Sequence, residues 1–80
     1  MKKFHKKILP EYFKEVQEGR KNFELRKDED NIQVGDKLVL EEFNPATGSR
    51  TGRIVVRMVT YVLRDVPEYG LKEGYCIIGF

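Results

Sequence analysis

The sequence predicts an α+β domain, a small β-barrel of about five mostly antiparallel strands with one amphipathic helix near the N-terminus. The chain has 80 residues, of which 40% are hydrophobic and nine are aromatic, so it can bury one small core but cannot divide it in two. Its only clear helix signal follows the first strand-like segment, and the later segments favour strands. Strands without helices between them pair antiparallel, and such a set curls into an open barrel. We therefore expect residues 1–80 to form a single domain.

The N-terminal part predicts a strand followed by a helix. Phe4–Leu9 is strand-like and ends immediately before a helix start signal. Pro10 and the adjacent Glu11 favour a helix that begins there, and Gly19 is placed to end it. The apolar residues of the predicted helix, Pro10–Glu18, share one side: Tyr12, Phe13 and Val16.

The rest of the chain predicts four further strands. Asn22–Arg26 alternates, with Phe23 and Leu25 on one face and Glu24 and Arg26 on the other, which is the period of a half-buried strand. The other predicted strands are Lys37–Phe43, Arg53–Leu63 and Tyr75–Phe80, with a hairpin turn at Asn44–Ser49 and a break or single helical turn at Val66–Gly70. The predicted strand Arg53–Leu63 is long and has apolar residues on both of its faces, so we expect it to bend as a barrel strand does.

Composition excludes several classes of protein. Cys76 and His5 are the only cysteine and histidine, so neither an internal disulfide nor a zinc framework is available, and a reducing cytoplasm is indicated. No apolar run approaches the roughly 18 residues that span a bilayer, and no signal peptide is recognisable. We expect a soluble, unprocessed cytoplasmic protein without a membrane or metal partner, with little core left for a cofactor and with a monomer favoured.

The net charge of +2 hides an asymmetry. Residues 1–27 carry nine Lys or Arg against four Glu, a balance of +5, whereas the remaining residues carry six against nine, a balance of −3. Such a bipolar surface could steer a polyanion to one face. Lysine-rich termini that merely improve solubility have the same composition.

The densest polar cluster predicts a candidate site at the end of the helix. Glu24 and Arg26 share a strand face and Lys21 lies in the preceding loop, so an ammonium, a carboxylate and a guanidinium could converge. Arginine offers a donor fork for phosphate, and a carboxylate can accept from the exocyclic amine of a base. The alternative is a solvated strand face with a weak surface salt bridge.

The other polar and aromatic candidates have equally ordinary alternatives. His5 is either a ligand contact or a half-exposed strand residue, and Cys76 is interpreted as a packed small hydrophobe, since no second histidine could activate it. Four tyrosines could stack bases if exposed, but such residues usually belong to a core: Tyr12, Tyr61, Tyr69 and Tyr75. Arg53 and Arg57 share parity, so they form either a basic stripe or an ordinary polar face. No nucleophile elbow, P-loop or metal-ligand set is present.

The order of these segments resembles a known family. Gly19-Arg20-Lys21-Asn22-Phe23-Glu24-Leu25-Arg26, followed by the strand start Val34-Gly35-Asp36-Lys37-Leu38, is similar to the G-x-K-x-x-E-x-R signature of the ASCH domains, members of the PUA-like superfamily. Within that family the chain is most similar to a small bacterial and phage group known only as a domain of unknown function. The segments that carry this second resemblance are His5-Lys6-Lys7-Ile8, Tyr12-Phe13, Asn44-Pro45-Ala46-Thr47-Gly48 and Gly74-Tyr75-Cys76-Ile77-Ile78-Gly79-Phe80.

The resemblance implies a PUA-like β-barrel with the helix beside a cleft that binds RNA or modified nucleotides. Lys21, Glu24 and Arg26 would line that cleft, with Arg20 at its rim and His5 as a further contact. One branch of these domains hydrolyses acetylated cytidine with a lysine, a threonine and a distant glutamate. Lys21 matches that lysine, but Glu24 stands in place of the threonine, and a carboxylate does not easily replace a hydroxyl nucleophile.

Three functions follow as expectations. The first is an RNA-binding module without catalytic residues. The second is a small amidohydrolase in which Lys21 acts with Glu24 as a general base on water. The third is an interaction domain that binds a protein through an exposed sheet edge.

Overall fold

The computed structural model describes residues 1–80, which form six strands, one α-helix and one short 3₁₀ helix. The elements are β1 (Lys3–Ile8), α1 (Pro10–Gln17), β2 (Phe23–Lys27), β3 (Lys37–Asn44), β4 (Ser49–Met58), β5 (Tyr61–Leu63), a 3₁₀ helix (Pro67–Tyr69) and β6 (Tyr75–Gly79). The molecule is thus an α+β domain in which strands predominate, as the sequence predicts. None of its helices has the length and apolar composition that a bilayer crossing requires.

The strands form two three-stranded sheets. Sheet I has the order β1-β3-β4, and sheet II has the order β2-β6-β5. Three of the four strand pairings are antiparallel, and the pairing of β1 with β3 is parallel because α1 and β2 lie between them in the chain. No ladder of strand pairs joins the two sheets into a closed barrel.

The long strand predicted over Arg53–Leu63 is two strands, and β4 begins earlier, at Ser49. The bend expected there is the point at which the chain leaves one sheet for the other. Val59 exchanges backbone hydrogen bonds of 2.9 Å with the loop at Gly35 and Asp36, and Thr60 N donates to Gly79 O at 2.9 Å. The chain therefore crosses from sheet I to sheet II within two residues.

Helix α1 packs its apolar side on the inner face of sheet I. Phe13 and Val16 are fully buried, whereas Tyr12 remains half exposed. Gly19 adopts a φ of 78°, a left-handed conformation that ends helices and that favours glycine. The buried core joins the helix and both sheets: Ile8, Phe13, Val16, Ile32, Leu38, Leu40, Val59, Cys76 and Ile78.

Candidate functional site

The loop between α1 and β2 positions the candidate site. Lys21 N donates to Glu15 O of the last helical turn at 3.0 Å, and Phe80 N donates to Asn22 O at 3.0 Å. These bonds tie the loop to the helix on one side and to the C-terminus on the other. The strand that follows therefore starts at a fixed place, and its alternation aims Glu24 inward.

Glu24 is a buried carboxylate between two cations. Only 5% of the residue is exposed. Lys21 Nζ donates to its Oε1, while Nε and Nη2 of Arg26 lie 3.1 and 3.0 Å from its Oε2. The three side chains predicted to converge do so, and the cluster carries a formal charge of +1. The predicted alternative of a solvated strand face is wrong, because the polar face of β2 is its buried one.

Lys21 and Arg26 are both held by further contacts. Lys21 Nζ donates to Phe23 O at 2.7 Å, and Arg26 Nη2 donates to Lys7 O at 2.5 Å. The second bond links β2 of sheet II to β1 of sheet I. The two cations are thus fixed in position before any ligand arrives, which reduces the entropy that binding must overcome.

Aromatic rings form the outer wall of the site. Lys21 Nζ lies 4.9 Å from the centre of the Phe23 ring and 5.6 Å from that of Tyr12, within cation–π distance of both. The two rings, Lys21, Glu24 and Leu25 line an open depression of about 370 Å³. An ammonium, a carboxylate and two aromatic faces therefore meet at one opening on the surface. The side chains at this opening include no serine, threonine or cysteine.

Arg20 and His5 lie outside this depression. The Arg20 guanidinium is bound by Glu15 of the helix, with Nε–Oε1 at 2.7 Å and Nη2–Oε2 at 3.2 Å, so it faces the helix surface. His5 lies on the outer face of sheet I, where its Nδ1 is 3.6 Å from Glu41 Oε2. The structure thus groups three of the five residues predicted for the site and places these two elsewhere.

The arginines predicted as a stripe on the long strand are engaged within the fold. Nε and Nη2 of Arg53 bind the two oxygens of Glu42 at 3.0 Å each, and its guanidinium lies 5.1 Å from the centre of the Phe13 ring. Arg57 Nη2 donates to Val16 O, at the C-terminal end of α1, at 3.1 Å. Both side chains point to the helix-covered face of sheet I, so they stabilise helix packing.

Cys76 is a packed core residue, as predicted. It is 1% exposed, and burial raises the pKa of its thiol, with the nearby Asp28 carboxylate adding to the effect. The thiol is therefore held in its neutral form, which is a poor nucleophile.

The sequence predicts only part of the aromatic wall. Tyr12 is a candidate for stacking on a base if exposed, whereas Phe23 is assigned only to the apolar face of β2, and each is 47% exposed. The available signal was the position of Phe23 within the G-x-K-x-x-E-x-R segment, between Lys21 and Glu24. An inward Glu24 requires an outward Phe23, because neighbouring residues of a strand face opposite ways.

Comparison with known proteins identifies the family of this chain. No curated protein matches the chain. Residues 4–80 match a family described as Domain of unknown function (DUF3850), and this range contains every residue of the depression. Since the match covers nearly the whole chain, the protein belongs to the DUF3850 family.

Proposed function

We propose that this protein is a binding module for RNA or a modified nucleotide, and that its site is the depression beside Lys21, Glu24 and Arg26. The observation that carries the proposal is that Lys21 and Arg26 both bind the buried carboxylate of Glu24, next to two exposed aromatic rings. The phosphate of a nucleotide and the exocyclic amine and ring of its base would each have a chemical partner at this site.

The cations of the site would bind the phosphate of the ligand. Lys21 and Arg26 together exceed the charge of Glu24 by one, and Lys21 is at the opening of the depression. A phosphate that approaches Lys21 gains a charge-assisted hydrogen bond without first ordering the side chain. The excess of basic residues in the first 27 residues adds a long-range attraction for a polyanion.

The carboxylate and the aromatic rings of the site would bind the base. Tyr12 and Phe23 offer exposed aromatic faces on which any base can stack. Glu24 Oε1 accepts from Lys21 Nζ, and a carboxylate oxygen can also accept from the exocyclic amine of a base. Glu24 thereby favours bases that carry an amine.

We propose further that the chain is an ASCH domain of the PUA-like superfamily. The G-x-K-x-x-E-x-R signature supports this relationship, as does the position of its three polar residues beside the end of α1. On this proposal the two sheets correspond to an opened PUA-like barrel, with the helix at the edge of the cleft.

The test is binding of a fluorescein-labelled single-stranded RNA, measured by fluorescence anisotropy at several salt concentrations. Lys21→Gln removes the charge but keeps a donor for Glu24, and we expect it to weaken binding and to lower the dependence of log K on log salt by about one unit, as for one lost phosphate contact. The matched control is Lys14→Gln, at an exposed lysine of α1 that does not line the depression. Absence of binding by the unaltered protein at low salt would refute the proposal.

A second candidate, hydrolysis of acetylated cytidine, is favoured by the direct contact of Lys21 with Glu24. In that reaction Glu24 would take a proton from water as the water attacks the amide carbonyl, and Lys21 would stabilise the resulting oxyanion. Collapse of the tetrahedral intermediate would break the C–N bond, and the proton held by Glu24 would pass to the departing N4 amine, which releases acetate and cytidine. Release of acetate from acetylated cytidine tests it. Turnover no greater than that of a Lys21→Ala variant would exclude this substrate.

A further inference from the structure

The outer face of sheet II carries an exposed apolar surface. Glu24 and Arg26 of β2, Cys76 and Ile78 of β6, and Val62 of β5 point to the interior of the protein. The residues that alternate with these along the three strands therefore point outward. These outward residues are Phe23, Leu25 and Lys27 of β2, Tyr75, Ile77 and Gly79 of β6, and Tyr61 and Leu63 of β5.

This face is apolar although solvent reaches it. Phe23, Leu25 and Tyr61 are 47%, 56% and 63% exposed. Leu25 and Tyr75, with the loop residues Gly70 to Lys72, also line a second depression of about 250 Å³ next to the first. Large apolar side chains gathered on one exposed face mark a site of interaction.

Gly79 makes a slot in the middle of this face. In the strand register Gly79 lies between Phe23 and Tyr61, so the two aromatic residues flank a position that has no side chain. Their Cα atoms are separated by two strand spacings, roughly 10 Å. A Cβ at Gly79 would lie 3.4 Å from Tyr61 O, and φ of Gly79 is outside the left-handed region, so the backbone does not require glycine. What the glycine provides is a position without a side chain between the two rings, since a Cβ there would already contact Tyr61.

The charge of the face identifies its occupant. Its only ionisable group other than the tyrosine phenols is Lys27, so no outward position of these strands carries a carboxylate. Two further ammonium groups lie over its rings, Lys21 Nζ at 4.9 Å from the centre of Phe23 and Lys72 Nζ at 5.6 Å from that of Tyr75. Exposed aromatic rings interleaved with cations complement a single-stranded nucleic acid, whose bases stack and whose phosphates bind cations.

We propose that the outer face of sheet II is a stacking platform for the unpaired bases of single-stranded RNA, in which Phe23 and Tyr61 hold one base over Gly79. A neighbouring base lies on Leu25 and Tyr75, and Lys27 and Lys72 meet the phosphates. This inference rests on the proposed function, because Phe23 belongs both to the platform and to the depression beside Lys21. The RNA would then follow a path of several nucleotides from the depression across the sheet.

Binding of fluorescein-labelled decacytidylate, whose bases carry an exocyclic amine, tests the platform. Tyr61→Ala removes one stacking ring, and Gly79→Val fills the slot with a residue that strands favour. We expect each variant to weaken binding by about 5- to 150-fold, the range for loss of one stacking contact. The control is Tyr69→Ala, which removes a tyrosine that is 84% exposed on the 3₁₀ helix, and it should leave binding within about twofold. Thermal midpoints of all variants establish that each one folds.

The outcomes separate this inference from the proposed function. If Lys21→Gln weakens binding and Tyr61→Ala and Gly79→Val do not, the platform is refuted while the site beside Lys21 stands. If Tyr61→Ala and Gly79→Val weaken binding and Lys21→Gln does not, the platform stands and the site is refuted. If the unaltered protein does not bind decacytidylate at low salt, both are refuted. If Tyr61→Ala abolishes self-association in sedimentation velocity without changing RNA binding, the face is an interface between copies and the platform is refuted.

Discussion

Glu24 has 5% of its surface exposed, and cations bind both of its oxygens. Burial of a lone carboxylate is costly, and the cost is offset here because Lys21 and Arg26 approach from opposite sides. The same pairing fixes Lys21 at the depression and Arg26 beside Glu24. Stability, and on the proposed function also binding, therefore depends on Glu24, a charged residue at an inward position of β2.

Arg26→Met tests the structural part of this arrangement. The change leaves Glu24 with Lys21 alone and removes the donor to Lys7 O, so we expect the free energy of unfolding to fall by about 2 kcal/mol. Chemical denaturation with urea measures it. Arg20→Met is the matched control, because that guanidinium pairs with Glu15 on the exposed surface of the helix. Equal effects of the two changes would contradict a special role for the buried pairing.

Cys76 gives a second prediction at this scale. Because burial raises the pKa of its thiol, we expect the native protein to react only slowly with Ellman's reagent at pH 8. Addition of denaturant should release one reactive thiol per chain. Rapid and complete reaction in native buffer would show that the strand β6 opens freely, contrary to the packing described above.

Among the elements, β2 shows which structural features a sequence pattern predicts and which it does not. Its alternation of polar and apolar residues predicts a half-buried strand, and the strand is where the pattern places it. The pattern alone does not reveal which face is buried. Glu24 and Arg26 point inward because Lys21 of the preceding loop and Lys7 O of the distant strand β1 supply their partners. Phe23 and Leu25 consequently point to solvent. The exposed aromatic surface exists because the polar face of β2, and not its apolar face, is the buried one.

The β3–β4 hairpin provides a pH-dependent contribution to stability. Hydrogen bonds from Thr51 and Arg53 lower the pKa of Glu42 below its usual value. A carboxyl with a lowered pKa in the folded state stabilises that state at pH values above its unfolded pKa, about 4.3. This stabilisation is lost as the pH falls from there through the lower folded pKa.

We therefore expect the thermal midpoint of the unaltered protein to be nearly constant from neutral pH to about pH 5 and to fall below about pH 4. Hydrogen bonds also lower the pKa of Asp36, Glu41 and Glu15, so these carboxyls contribute in the same direction. Glu42→Gln should lower the midpoint at pH 7 and reduce its fall on acidification. A variant with an unchanged pH profile would show that Glu42 does not contribute. Calorimetry at a series of pH values provides the measurement.

For the whole molecule, local patterns predict the elements and long-range contacts arrange them. The helix ends beside Gly19 as predicted, since the signals that limit a helix lie within a few residues of its ends. The division into two sheets depends instead on the parallel pairing of β1 with β3, which brings together residues 34 positions apart, and on the crossing at Val59. No local pattern contains that information, so an eleven-residue segment that predicts one bent strand is divided between two sheets.

The core joins both sheets through the helix, and Phe13 is its largest fully buried side chain. Phe13→Ala should cost about 3–5 kcal/mol, a large part of the total stability of a domain of this size. We expect the variant to lose its cooperative thermal transition, as followed by circular dichroism. Tyr12→Ala, at the half-exposed neighbouring position, should retain that transition. A cooperative transition at an unchanged temperature for Phe13→Ala would contradict the assigned core.

The central claim is that the Lys21–Glu24–Arg26 site and the adjacent face of sheet II bind single-stranded RNA. Titration of ¹⁵N-labelled protein with decacytidylate, followed through the backbone amide signals in two-dimensional NMR spectra, tests it most directly. We predict that the signals that move belong to residues 21–27, Tyr61, Tyr75 and Gly79, while the outer face of sheet I remains unchanged. Shifts confined to β4, or no shifts at low salt, would contradict the claim.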